Sequence, residues 1–381
     1  MDREFHTTYM ADVFERIMSL GGMFNAHLHL DRAETLGPTL EMMRAQGNAA
    51  ESSLAIAQKH ALIPLIHNSA FYDPDRLETR VGACVRKMAK LGTRHAHSVV
   101  DVTTDRVGTS ALDRLLALGE RIRDDIDFRA GAYTPLGFRD DDPERWNLIE
   151  QAAGYADFIG ALPERDDKMV YPDHIGFETC CRRLIALAFR LGKPVHIHAD
   201  QKNHDREDHT ERLIRLVRAE GFVHTGDTPL IWLVHVISPS EYTEDRFQKM
   251  AQELAALNIG VICCPSAAVS MRQLRPLTQP THNAIARVLE LLCAGVFVRL
   301  GTDNVSDITS PAGTLDVMDE IFVLSNAVRY YDPDVMACLG AGCRVPAPAL
   351  ERIAQHLTED AAQCETAMAE YHRLAPQPQS V

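Results

Sequence analysis

The chain has 381 residues, 46% of them apolar, enough for a large buried core; this is long for one average domain, but α/β barrels reach it undivided. Its 39 basic and 53 acidic residues give a net charge of −14, which argues against a nucleic-acid partner or an anionic membrane surface. The 9 cysteines are odd in number and scattered, with no Cys-x-x-Cys pair, no basic-then-apolar leader and no membrane-length apolar run, so a reduced, cytoplasmic, unexported protein is expected.

The first predicted strand lies in Met23-Phe24-Asn25-Ala26-His27-Leu28-His29-Leu30-Asp31. Residues two apart on a strand share a face, so His27 and His29 point together into one interior where the strand leaves the sheet. Residues 32–73 form a long connection with helical stretches, of the kind that serves as a lid or binding loop. A helix follows, with Asp73 as its cap, Pro74 in its first turn and Gly92 as its stop. Strands at 94–102, 127–134, 156–162, 194–199, 230–237, 259–264 and 296–301 then alternate with helices at 110–124, 143–155, 175–191, 206–220, 240–257, 283–294 and 314–328. Eight strands alternating with helices predict an α/β protein, a (β/α)8 TIM barrel over residues 1–345. Residues 346–381 are helical in pattern as far as Leu374 and then rich in Pro and Gln, an extension expected to pack on the barrel or on a partner subunit.

Barrel enzymes carry their sites at the C-terminal ends of the strands. There the fifth strand supplies His198, with His196 one layer lower, the sixth supplies His235, and the eighth ends in Gly301-Thr302-Asp303-Asn304. Taken singly, a rim histidine is more often a structural hydrogen-bonder, and Gly-x-Asp is often a turn or cap. Taken together, His27, His29, His198 and Asp303 make three imidazoles and a carboxylate, a ligand set for one divalent metal ion with an open water position. Zinc heads the list; iron and manganese tolerate the same donors. Arg32 and Arg272 are candidates to hold a substrate carboxylate or phosphate, against the plainer reading as surface arginines. His97 and Tyr133 are candidate pocket walls, while His204 and His209, on a polar helix start, are expected to be solvated.

The series His27-Leu28-His29-Leu30-Asp31, His198-Ala199-Asp200-Gln201, His235 and Asp303-Asn304 resembles the amidohydrolase superfamily. Within it, the chain is similar to the cytosine deaminase-like and ATZ/TRZ-type branches, over roughly Met23 to Val328. The resemblance implies a mononuclear site on His27, His29, His198 and Asp303, hydrolysis of a non-peptide C–N bond in a small molecule, and a homo-oligomer. Asp303 would be both ligand and base, His235 would orient water or stabilise an oxyanion, and Gln201 and Asn304 would hydrogen-bond substrate. The fourth strand ends in Gly160-Ala161-Leu162-Pro163-Glu164 without lysine, so the bridging carbamylated lysine of binuclear relatives is not expected.

Three departures from the deaminases matter. Gln201 stands where they carry a proton-shuttling glutamate, Asn304 where they carry a second aspartate, and Ala132-Tyr133-Thr134-Pro135 lacks the glutamine that cytosine deaminase sets against its substrate. Cytosine and adenosine are therefore poor candidates. The accessory β-sandwich of the superfamily is also missing from the pattern. Alternative readings are dehalogenation or decarboxylation on the same metal, or a non-catalytic relic of a deaminase.

Overall fold

The computed structural model describes residues 4–5, 7–45, 47, 54, 56–271 and 285–374. Its eight strands are β1 (Met23–Leu28), β2 (Thr93–Asp101), β3 (Asp127–Tyr133), β4 (Phe158–Ala161), β5 (Val195–Ala199), β6 (Ile231–His235), β7 (Ile259–Cys263) and β8 (Val298–Leu300). They pair in that order, each parallel to the next, as a right-handed βαβ succession requires. The segment after β8 closes the barrel on β1: Asp303 N–H donates to His27 O (3.0 Å) and His29 N–H to Asp303 O (3.3 Å). Asn25 locks the same seam, donating to Thr302 Oγ1 (2.8 Å) and accepting from Thr302 N–H (3.1 Å). Gly301 permits the closeness, since a Cβ there would stand 2.9 Å from the His27 backbone. The fold is the expected TIM barrel.

Around the strands lie α1 (Thr8–Ser19), α2 (Leu36–Ala45), α3 (Ile56–His60), α4 (Ile63–His67), α5 (Pro74–Leu91), α6 (Ser110–Arg121), α7 (Pro143–Tyr155), α8 (Phe177–Leu191), α9 (His209–Glu220), α10 (Glu244–Ala256), α11 (Pro265–Val269), α12 (Val288–Cys293), α13 (Val317–Ala327), α14 (Pro333–Ala341) and α15 (Ala347–Leu374). In α5 the buried face is Leu77, Val81, Val85 and Met88, at helical spacing, and Gly92 ends it with φ 104°. The connection 32–73 contains α2, α3 and α4. Neither α1 nor α14 was expected. They pack on each other where Gly340 lets the Ile17 side chain approach, and α14 lies across β1 and β8. Helix α14 is buried almost all round, which hides the one-sided pattern that marks a surface helix. The first turns of α15 bury Ala349 and Ile353, while residues 361–370 are exposed. Among the described residues no helix is long and apolar enough to cross a membrane.

Two expectations are corrected here. His97 does not reach the mouth of the barrel: β2 runs on to Asp101, so His97 sits in a lower interior layer. Its ring lies against Phe24 (4.8 Å between centroids), Phe158 (5.4 Å) and His196 (5.9 Å). His209 is buried rather than solvated, because α9 starts at His209 and its first turn is tied down by Asp200, which accepts from the N–H groups of His209 (2.7 Å) and Thr210 (3.0 Å). His204 is half-buried.

Candidate metal centre

The C-terminal ends of β1, β5 and β8 bring His27, His29, His198 and Asp303 together, with one ligand atom from each lying within 4.8 Å of the others, all buried. His198 Nε2 is 3.2 Å from His27 Nε2 and 3.3 Å from His29 Nε2, and Asp303 Oδ1 is 3.2 Å from His29 Nε2 and 3.8 Å from His27 Nε2. His198 donates Nδ1–H to Ala161 O (2.9 Å), which leaves the lone pair on Nε2, facing the cluster. Burial first, and neighbouring imidazoles second, push His27 and His198 well below the usual histidine range, so both are neutral donors. For Asp303, burial alone would raise the carboxyl, but His29 and the imidazoles of His235 and His198 outweigh it and hold it below the usual carboxylate range. Asp303 Oδ1 is buried without a well-formed hydrogen bond. Three imidazole Nε2 atoms and a buried carboxylate oxygen converging on one point suit a divalent cation, whose binding displaces any proton held there. The donor set fits a metal ion.

Backbone strain collects at the same rim. His235 and Asp303 adopt φ 82° and 59°, a region costly for residues with a Cβ and commonest at functional sites. His235 places its ring 5.4 Å from that of His198, and burial lowers its pKa. Above the cluster opens a cleft lined by His29, His198, His235, Asp303, Gln201 and Asn304, with Tyr133 as a wall. Tyr133 packs its ring 5.4 Å from His29 and 5.6 Å from His198.

Arg32 borders the cleft but is only 3% exposed, because it is held from below. Its Nη2 contacts His29 Nδ1 and its Nε lies 3.5 Å from Asp101 Oδ2. Asp101 in turn joins a buried network. Its Oδ2 accepts from His67 Nε2 (3.0 Å) and Tyr72 Oη (3.3 Å), and Tyr72 Oη also donates to Asp31 Oδ2 (2.9 Å). Arg272 lies outside the described residues. Sequence reading missed three groups at this rim. His60 lines the cleft, Glu164 accepts from Gln201 Nε2 (2.8 Å), and Asp307 accepts from Asn304 Nδ2 (2.6 Å). The signal for Glu164 was present in Leu162-Pro163-Glu164 directly after β4.

The network sets a pH dependence of stability. Burial disfavours charged His67, yet its bonds to Asp101 and Asp105 (2.7 Å) outweigh burial and push it from 6.5 up to about 9. A raised folded-state pKa contributes stability that is full below pH 6.5 and lost as pH rises through about 9. Unfolding free energy should therefore fall by on the order of 3 kcal/mol from this group across that window. Urea titrations at several pH values should show that slope in the wild type and a flatter one in His67→Gln.

A sequence profile of the amidohydrolase family matches residues 18–352. The chain belongs to the amidohydrolase family. An uncharacterized protein of Haemophilus influenzae is 25% identical over 289 residues, spanning 75% of this chain and 94% of that one. Among solved structures, 5-methylcytosine deaminase from Klebsiella pneumoniae liganded with 5-fluorocytosine superposes with a TM-score of 0.70 at 21% identity, over 85% of this chain and 74% of that one. N-isopropylammelide isopropylaminohydrolase from Burkholderia multivorans follows with a TM-score of 0.63 at 19% identity, over 85% and 72%. At these identities the structural likeness speaks to the fold.

Proposed function

We propose that the protein hydrolyses a C–N bond of a small molecule, an amide, cyclic amide or amine on an activated ring, with one divalent metal ion held by His27, His29, His198 and Asp303. The observation that carries this reading is the buried Asp303 Oδ1 among three imidazole nitrogens at the floor of a cleft. When bound, the ion, zinc first or iron or manganese, supplies Lewis acidity to the scissile carbon's substituent and makes water acidic enough to react near neutral pH. The Asp303 carboxylate, held ionised, takes a proton from water as the new C–O bond forms, and returns it to the nitrogen as the C–N bond breaks. His235, neutral and close to His198, orients the water or the developing oxyanion. Water, not an internal acid, is consumed, and ammonia or an amine leaves.

Gln201 and Asn304 narrow the substrate class. An unprotonated carboxylate oxygen accepts hydrogen bonds and cannot donate them. Glu164 therefore takes the N–H end of Gln201, and Asp307 that of Asn304. Their carbonyl oxygens are left for the cleft that both residues line. A substrate bearing N–H or O–H donors on two edges complements them, as an aminated heterocycle or a cyclic urea does. A panel of such compounds assayed for ammonia or amine release, beside N-methylated counterparts, tests the reading. Activity confined to the unmethylated members supports it, whereas release of chloride or carbon dioxide instead would overturn it. Gln201→Glu sets a second carboxylate against Glu164 and removes the donor between them. It is expected to lower kcat/KM on the native substrate by about tenfold or more, and a gain in deamination would mean that the amide is a loss rather than an adaptation.

A further inference from the structure

A second group of ligand-bearing side chains lies beside the cleft, and of these only Glu164 enters the reading above, by orienting Gln201. Glu164 follows β4, Glu207 precedes α9 and His209 begins it; one atom from each lies within 4.8 Å of the others. Both carboxylates are satisfied on one oxygen only. Glu164 Oε1 accepts from Gln201 (2.8 Å), and Glu207 Oε2 accepts from Lys202 N–H (2.7 Å) and Ser238 Oγ (2.6 Å). The remaining atoms, Glu164 Oε2, Glu207 Oε1 and His209 Nδ1, are buried with no hydrogen-bond partner, in residues 7%, 4% and 4% exposed. Glu207 Oε1 is 3.4 Å from His209 Nδ1. The nearest cation is the Lys202 ammonium, 3.9 Å from Glu164 Oε2 and 4.0 Å from Glu207 Oε1, too far for a hydrogen bond to either.

Such an arrangement is expensive without a cation. A bare buried carboxylate oxygen must be protonated or matched by positive charge. Burial and the neighbouring Asp200 accordingly push Glu207 up to about 8, and burial raises Glu164. The donors are also held in place. The His209 ring stacks on Phe177 (4.7 Å, 16°), and its backbone N–H is pinned by Asp200. Two carboxylates and an imidazole at these separations suit a transition-metal ion better than calcium or magnesium, which prefer oxygen donors alone.

We propose that Glu164, Glu207 and His209 form a second divalent-cation site, distinct from the centre on His27, His29, His198 and Asp303, and taking an ion such as Zn²⁺ or Mn²⁺. It joins the loops after β4 and β5 and fixes the carboxylate that orients Gln201. Lys202 is its internal competitor.

Full-length protein stripped with a chelator, reloaded with Mn²⁺ or Zn²⁺, desalted and submitted to elemental analysis tests the site without reference to activity. The wild type should hold two equivalents per chain, and Glu164→Gln and Glu207→Gln one each. Lys202→Met, at a half-exposed position, should keep two and bind the second about tenfold more tightly. One equivalent in the wild type overturns the proposal, and if Lys202→Met then holds two, the ammonium is the native occupant. A second equivalent that survives both glutamate variants also overturns it. Should those variants fail to fold, an unchanged affinity of the second equivalent in Lys202→Met does the same.

Discussion

Asp303→Asn is expected to reduce turnover by about 10²- to 10⁴-fold, the range ascribed to a positioned general base. The substitution preserves size and leaves one oxygen able to face His27 and His29, so the fold and the barrel seam, which rest on the Asp303 backbone, should survive. What is lost is the ionised carboxylate, which the surrounding imidazoles hold below its ordinary range. With metal kept saturating, because Asp303 is also a ligand, the loss should fall mainly on kcat, since its part as base comes only when bonds begin to move. Steady-state kinetics on any substrate found by ammonia release decides it. A variant retaining more than a tenth of wild-type kcat would mean that another group moves the proton.

Arg32→Met is expected to destabilise the protein by about 3–5 kcal/mol, the size typical of removing one partner from a buried charge pair. The guanidinium is 3% exposed, beside the fully buried Asp31 and Asp101. A guanidinium only donates, so its contact with His29 Nδ1 favours the tautomer that carries the proton on Nε2, and its loss should leave metal affinity undiminished. Urea unfolding and metal titration read the two separately. If Arg32 serves mainly to clamp a substrate carboxylate, the variant will instead raise KM at unchanged stability.

The contrast between these residues shows what sequence pattern conveys. His27 and His29 were legible because strand alternation is strict and local, and so was His198 above His196 on β5. Asp303 followed from Gly301-Thr302-Asp303 at the end of an apolar strand. The TIM barrel followed from repeated alternation over the whole chain. Pairings across the barrel were not legible. Arg32 looks like a surface residue until Asp101, on the neighbouring strand, and His67 and Tyr72, from the connection 32–73, are folded beneath it. Glu164 meets Gln201 only because β4 lies beside β5, and Asp307 meets Asn304 only through a turn. His97 was misplaced by the length of β2, a boundary that pattern reads poorly. Helix α14 escaped because burial on all sides erases the periodicity by which a helix is recognised.

The most direct test of the metal centre is elemental analysis of the reloaded wild type beside His198→Ala. His198 reaches both His27 and His29 through Nε2 and is anchored by Ala161, so its removal takes a donor from the middle of the cluster. The expected result is one equivalent of zinc, iron or manganese fewer in His198→Ala than in the wild type, together with loss of hydrolysis. Equal metal content in the two proteins would contradict a metal ion on His27, His29, His198 and Asp303, and with it the hydrolytic mechanism.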